Sequence, residues 1–266
     1  MTIRWKLLAL LLGIALVPLL FVSWFDQRTT RQAGQDMAAL GRQILKEGAS
    51  RQLIQIVDDY AMILRRERQL LELALHLQAG EVEKALAGPA PRLGTIYFDQ
   101  DFDQGRNLPP GVLLSSEHFI RQDSNRFRPM RVSYLAQVFK LAPGVKKQNV
   151  AKEAARLSTV LDTYRQLERN YPDLIYWQST TLESGLHSAY PAHGGYPADY
   201  DPRHSEWYIR AKEAGSLIWN PPRLDASTTQ LLLTVARPVH RPDGSLAGVT
   251  AIDVSLPSIL QETKLP

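Results

Sequence analysis

Apolar residues recur along this chain with two different periods, and the change from one to the other divides it. Leu7 to Phe25 (LLALLLGIALVPLLFVSWF) is a run of nineteen residues without a charge, about the length that crosses a bilayer's hydrocarbon core. Arg4 and Lys6 precede it and Trp24 sits near its far end, where interfacial aromatics are favoured. A cleaved signal peptide is the competing reading. It fits the basic start, but not the long apolar run or the missing small-residue cleavage site at FVSWFDQ. The expectation is an uncleaved anchor spanning residues 1–25. Arg28 and Arg31, just past it, weaken the charge signal for orientation.

From residue 26 to about residue 90 the period is helical. Met37, Leu40 and Ile44, then Ile54, Val57, Ala61 and Leu64, then Leu71 and Leu75 recur at steps of three and four. No proline interrupts before Pro89. Gly34, Gly41 and Gly48 stand seven apart, either where helices approach closely or as ordinary surface glycines costing about 1 kcal/mol each. A long helix cannot bury its own stripe; it needs a sheet or a second helix, so a homodimer through this element is expected. Glu67, Glu72, Glu81 and Glu83 read as a solvated charged face.

Residues 88–94 (GPAPRLG) break the helix, and alternation takes over within residues 91–256. Thr95 to Asp99 reads as a strand, and Asp99 to Gly111 as a loop. Asp99, Asp101 and Asp103 occupy the first three ligand positions of a calcium loop, but Gln104 and Pro110 stand where it needs Gly and Glu, so a solvated loop is expected. Val132 to Phe139 reads as a strand ending in an Ala-Pro-Gly turn, Val150 to Arg169 as an amphipathic helix, and Leu174 to Gln178 as a strand. Asp201-Pro202 starts a helix that Gly215 stops. Leu231–Val239 and Leu246–Val254 flank Pro242-Asp243-Gly244, a β-hairpin. Residues 257–266 read as a truncated connection to a further part. The fold class is α+β: a transmembrane helix, a long amphipathic helix, and an antiparallel sheet with flanking helices.

Composition narrows the functions available. Hydrophobic residues make up 44% and there are five Trp, enough for a sizeable core; the net charge of +4 is scattered rather than blocked, which argues against nucleic acid as a partner. Cysteine is absent, which removes disulfides, thiol catalysis and Cys-based zinc sites. No phosphate-binding, nucleophile-elbow, zinc-protease or dinucleotide motif is present, so no enzyme, metal or cofactor is expected.

Candidate chemistry concentrates between Tyr200 and Asp253. Trp207 and Tyr208 are adjacent on a short helix, so one is expected to pack on the sheet while the other lines a cavity, unless both are core. Val249, Ala251 and Asp253 share a strand face, where a carboxylate is costly unless something cationic or hydrogen-bonding meets it. Asp253 either caps the helix that Ser255-Leu256-Pro257 would begin or faces an ammonium or arginine. Asp225 either reaches a pocket mouth or turns back on Ser227. Residues 187–200 (HSAYPAHGGYPADY) read as a lid loop, in which His187 and His193, with His204 beyond it, are expected to be polar loop groups rather than zinc ligands.

The pattern Tyr200, Trp207-Tyr208, Trp219, Asp225, Thr234-Val235, Pro238-Val239, Gly244, Gly248 and Asp253 resembles the membrane-distal module of double Cache (PAS-like) sensor domains of bacterial transmembrane receptors, and the resemblance extends back through the helix and the anchor. Tyr176–Gly185, residues 187–200 and Val235–Val254 also resemble sensor regions attached to PP2C-type serine phosphatases. The resemblance implies an extracytoplasmic sensor in the inner membrane, with a single span held in lipid through residues 7–25. It would bind a small polar molecule (an amine, amino acid or organic acid) and relay occupancy inward. An anchored structural module without a ligand is the alternative. In amine- and amino-acid-binding members a Tyr, an Arg two before the Trp, the Trp-Tyr pair and two Asp contact the ligand. Tyr200, Trp207, Tyr208, Asp225 and Asp253 match. Ser205 replaces the Arg and Arg223 replaces an aromatic, so a carboxylate contact would have to come from Arg203 or Arg223. The implied ligand set is Tyr200, Arg203, Ser205, Trp207, Tyr208, Arg223, Asp225 and Asp253.

Overall fold

A computed structural model describes residues 61–92, 94–123, 126–172, 174–228 and 230–255, with the isolated residues Leu16, Trp24, Lys46, Gln55 and Asp58. The expected span 7–25 lies outside them apart from Leu16 and Trp24, both helical, as do most of the expected helix before residue 61 and all of 256–266. Among the described residues no helix is long and apolar enough to cross a membrane. The chain divides into two units, Met1–Leu64 and Arg65–Pro266; both sheets belong to the second.

In that unit residues 65–87 form helix α1. After it come α2 (Asp99–Gln104), β1 (Leu113–Asp123), β2 (Arg126–Ser133), β3 (Val138–Leu141), α3 (Lys147–Leu157), a 3-10 turn at Ser158–Val160 and α4 (Leu161–Asn170). Next are β4 (Ile175–Leu182), β5 (Leu186–Tyr190), β6 (Ala192–His193), a 3-10 turn at Pro202–His204 and α5 (Glu206–Ala214). The chain then runs through β7 (Ile218–Trp219), β8 (Arg223–Leu224), β9 (Leu231–His240) and β10 (Leu246–Ser255). The main sheet is antiparallel in the order β3-β5-β4-β10-β9-β7, with β8 also paired to β9; β1-β2-β6 form a smaller sheet.

Helices cover one face of the main sheet. Leu71, Ala74 and Leu75 of α1 pack with Leu167 of α4 on Val235, Ile252 and Val254. Further along, Ala79 and Val82 join Val150, Ala154, Leu157, Val160 and Tyr164 on Leu182, Leu186 and Tyr190. The helical repeat explains why these residues and not their neighbours are buried: positions 71, 74, 75, 78, 79 and 82 fall on one stripe. Burying Leu75 completely contributes about 2 kcal/mol. Gln78 on that stripe donates from Nε2 to Thr250 Oγ1 (2.7 Å) and to the Ala251 carbonyl (3.1 Å). The Thr250 hydroxyl in turn meets Thr180 Oγ1, which meets the Tyr164 hydroxyl, both at 2.8 Å. Gly248 lets β10 approach β4 here. A Cβ at that position would lie 2.1 Å from the Thr181 carbonyl oxygen.

Four expectations need correction. Thr95–Asp99 is not a strand: Phe98 makes one bridge to Phe139, and Asp99 begins α2. In the expected loop, Asp99–Gln104 is instead a helical turn in which each aspartate finds a protein partner, while residues 105–111 do run outside helix and strand and are mostly exposed. Asp99 pairs with the buried Lys140 at 3.1 Å, Asp101 accepts from the Phe98 amide, and Asp103 accepts from the Gly195 amide. Val132–Phe139 divides between β2 and β3, which belong to different sheets. Finally, His187 is not in a loop, since it lies within β5, and His193 is in β6. Glu72 and Glu83 are likewise more than solvated charges; they accept from the Trp219 indole (2.8 Å) and the His240 amide (3.0 Å). The expected helix at Val150–Arg169 is present as α3 and α4, and the hairpin at 231–254 as β9 and β10.

Candidate functional site

Strand register assembles the site on the face of the sheet away from α1, α3 and α4. Directly opposed residues of antiparallel strands point the same way. Asp253 of β10 is opposed by Trp177 of β4 and Thr234 of β9, and Arg223 of β8 by Leu232 of β9. One row along, Ala251 and Ala236 form the floor on which Trp207 and Tyr208 pack. Small residues there allow α5 to sit close. Its N-cap is Ser205 and its C-cap Gly215 adopts the left-handed conformation at φ 62°. Asp201 caps the preceding 3-10 turn, so the helix starts four residues later than the Asp-Pro pair suggested.

Three charges meet under this cover. Arg223 Nη2 lies 3.0 Å from Asp253 Oδ1, and Arg223 Nε donates to Thr234 Oγ1 at 3.1 Å. Thr234 in turn donates to Asp253. Asp225 forms a tight turn in which Oδ2 accepts four bonds, from the amides and hydroxyls of Ser227 and Thr228, at 2.6–3.1 Å; Oδ1 accepts none of them. Burial alone would raise the Asp225 pKa, but those bonds and the Arg223 charge more than offset it and hold it below the usual range. Asp253 is raised instead, because burial outweighs Arg223 and Thr234 and the Asp225 charge adds to it. Burial opposes the charge on Arg223, yet Asp253 and Asp225 together keep it firmly protonated.

Rings wall these charges. The Trp177 indole is sandwiched between His118 and His193, with centroids 4.2 Å and 4.1 Å away. Tyr196 lies 4.8 Å from His193 and stacks on Tyr200 at 5.5 Å. Hydrogen bonding fixes the tautomers. His193 Nδ1 faces the Gly194 carbonyl (2.8 Å), so it carries the proton, and Nε2 accepts from the Tyr196 hydroxyl at 2.9 Å. Tyr196 oxygen then accepts from His187 Nε2, whose Nδ1 accepts from Thr181 at 2.7 Å. Burial pushes His187 down to about 3 and His118 to about 4, and lowers His193. All three imidazoles are therefore neutral at pH 7, leaving Arg223, Asp225 and Asp253, beside the paired Lys140 and Asp99, as the groups of this cluster that can carry charge.

The structure brings Tyr200, Ser205, Arg223, Asp225, Asp253 and Trp207 to this end of the sheet. Tyr200 feels the charges of Arg223, Asp225 and Asp253, and its hydroxyl lies 3.5 Å from Ser205 Oγ. Both ring systems of the Trp207-Tyr208 pair are buried, at 2% exposure each. The Tyr208 hydroxyl turns outward and donates to Glu183, which Lys212 also bonds. Arg203 is held by Asp201 at 2.6 Å and by the Glu183 carbonyl at 3.0 Å. Arg203 and Tyr208 thus line an open cleft of about 430 Å³ with Lys212 and Glu183, away from the Arg223 cluster. A second cleft, about 500 Å³, lies behind Gly194 and Gly195 against α2 and β2. Asp253 faces an arginine, and the helix it was alternatively expected to cap lies outside the described residues; Asp225 makes the turn with Ser227. Sequence reasoning missed Trp177, His118 and Tyr196 as members of the cluster. The alternation of β4 put Trp177 on one of two faces, but only register could tell that Asp253 shared it.

Known proteins place this arrangement in context. Residues 158–261 match the family model of the methyl-accepting chemotaxis protein-like first PDC sensor domain, a stretch that runs from the 3-10 turn before α4 past Asp253. Methyl-accepting chemotaxis protein PscA of Pseudomonas syringae pv. tomato is 42% identical over 86 residues, 32% of this chain and 13% of that protein. Methyl-accepting chemotaxis protein PctB of Pseudomonas aeruginosa is 36% identical over 77 residues, 29% and 12% respectively. The match thus spans about an eighth of the length of these curated relatives. Among solved structures, the ligand-binding domain of the Pseudomonas aeruginosa chemoreceptor PctC with GABA aligns at 30% identity and TM-score 0.32, covering 34% of this chain and 41% of that one. The corresponding domain of PctB with L-Gln aligns at 28% identity and TM-score 0.34, covering 39% and 43%.

Proposed function

We propose that this chain is the extracytoplasmic sensor region of a bacterial transmembrane receptor, and that the ligand is a small molecule bearing a protonated amine. One observation carries the reading. Arg223 pairs with one of two buried carboxylates, so with both ionised the cluster holds one more negative charge than positive, and Asp225 Oδ1 accepts none of the bonds that hold its turn. A buried charge without a counter-ion is costly, and a monocation resting on Asp225 and Asp253 among ring faces supplies one. The sensor family matched over 158–261 and the amino-acid ligands in the names of the aligned chemoreceptor domains support the same class.

The proposal includes an anchor at residues 7–25 lying in the inner membrane and a homodimer through the helix that follows. Occupancy would shift the sheet relative to that helix, which requires different ligand affinity in two states. Catalysis has no place in it. The output domain proposed from the sequence resemblance is a PP2C-type phosphatase; the names of the curated relatives offer a methyl-accepting chemotaxis type instead.

The test is calorimetric titration of the full chain with amines, amino acids and organic acids. Amine-bearing compounds should bind, and Asp253→Asn should weaken them about tenfold or more while cooperative unfolding is retained. Binding confined to organic acids would overturn the amine assignment, and a panel without any binder would favour a purely structural module.

A further inference from the structure

The indole N–H groups of Trp177 and Trp207 are buried and bond to nothing among the described residues. Trp177 is 3% exposed and Trp207 2%. Each unmet donor costs on the order of 1–3 kcal/mol in a dry setting, and one of them, that of Trp177, belongs to the residue opposed to a buried carboxylate. Trp177 is directly opposed to Asp253 across β4 and β10, and Trp207 belongs to the cluster that includes Ala251, the preceding residue on the same face. Cross-strand neighbours have Cβ atoms roughly 5 Å apart. An oxygen bonded to the Trp177 edge therefore lies within one small molecule's length of an amine on the carboxylates.

Both faces of the Trp177 ring are already occupied. His118 and His193 sit on either side at 4.2 Å and 4.1 Å, and each imidazole is anchored by its own bonds, His118 to Ser115 and His193 to Gly194 and Tyr196. A ligand cannot stack on this indole. It can only meet the edge, and the polar atom of that edge is Nε1. The sandwich acts as a clamp that fixes the direction of one donor.

We infer that Trp177 is a specificity-determining residue of this site, and that the ligand it selects carries, beside its amine, an oxygen acceptor that takes the indole N–H of Trp177. The inference rests on the amine reading of the same site. It narrows the class to amino alcohols, amino amides and amino acids, and places plain alkylamines outside it.

The experiment titrates the full chain with propylamine, ethanolamine and glycinamide, three small monocations that differ in ending in a methyl, a hydroxyl or an amide. The two oxygen-bearing cations should bind roughly tenfold more tightly than propylamine. Trp177→Phe should erase that preference, bringing the two oxygen-bearing cations to the affinity of propylamine measured on the same variant; a preference that survives in Trp177→Phe overturns the assignment. A wild-type readout covers the case in which the variant does not fold. With ¹⁵N-labelled tryptophan, the Trp177 indole N–H resonance should move downfield with ethanolamine and much less with propylamine, and equal movement with both refutes the inference. If none of the three binds, the amine reading itself falls and this inference falls with it; equal binding of all three sinks the inference alone.

Discussion

The two faces of the main sheet are built on different principles. Beneath α1, α3 and α4 the strands present Val235, Ile252, Val254, Leu182 and Leu186, and the polar groups there are uncharged hydroxyls and amides, several bonded across strands and three, Gln78 Oε1, Gln178 Oε1 and Ser188 Oγ, without a partner among the described residues. On the other face lie the buried charges of the sheet, Lys140, Arg223, Asp225 and Asp253, among His187, His193, Trp177 and Tyr196. Stability is concentrated on the helix face. What sets the loop-covered face apart is its buried ionisable groups packed among rings, as expected where a site is prepared for a ligand.

The contrast can be broken at several strengths. Leu75→Ala on the helix face should cost about 4 kcal/mol, read as a fall in thermal midpoint with unchanged ligand preference. Arg223→Met on the other face should cost about 3 kcal/mol by leaving Asp253 buried without its partner. That loss should shrink as pH falls and Asp253 takes up a proton, which denaturant titrations at pH 7 and pH 5 would show.

Acid tests the imidazoles. His118 and His187 have folded pKa values of about 4 and about 3, below the 6.5 of the unfolded chain. Between those values the unfolded state binds more protons, so their stabilisation is complete above about pH 6.5 and is lost as pH drops. At pH 5 each should cost about 2 kcal/mol, and His118→Phe should flatten the slope of unfolding free energy against pH. Thr234→Val should cost about 1 kcal/mol by removing the hydroxyl that bridges Arg223 and Asp253, measured by chemical denaturation. Tyr208→Phe should change stability by less than about 1 kcal/mol, because its hydroxyl meets Glu183 near the surface, and calorimetry should show amine affinity unaltered.

Parts of this organisation were legible in the chain. The Pro-Asp-Gly turn between alternating runs announced β9 and β10, the Asp-Pro start and Gly215 stop bracketed α5, and the burial of Ala154, Leu157, Val160 and Tyr164 follows their spacing. The hairpin of β1 and β2 was not anticipated: its register shifts near Leu114 and Arg121 and the proline at 129 scramble the alternation that marks a strand. Asp99 misled because a carboxylate beside Gly/Pro-rich sequence reads as solvated, whereas Lys140, forty-one residues away, buries it.

Alternation and capping are local, so the chain alone settled that a hairpin carries Asp253 on its returning strand, that α5 carries Trp207 and Tyr208, and that acids and rings gather after Tyr200. It did not settle that Arg223 claims Asp253, that Tyr208 turns to Glu183, or that Trp177 stands beside the carboxylate between two imidazoles. Those are pairings between strands and loops distant in sequence. A one-residue slip in register would send each side chain to the opposite face, so only the assembled sheet decides them.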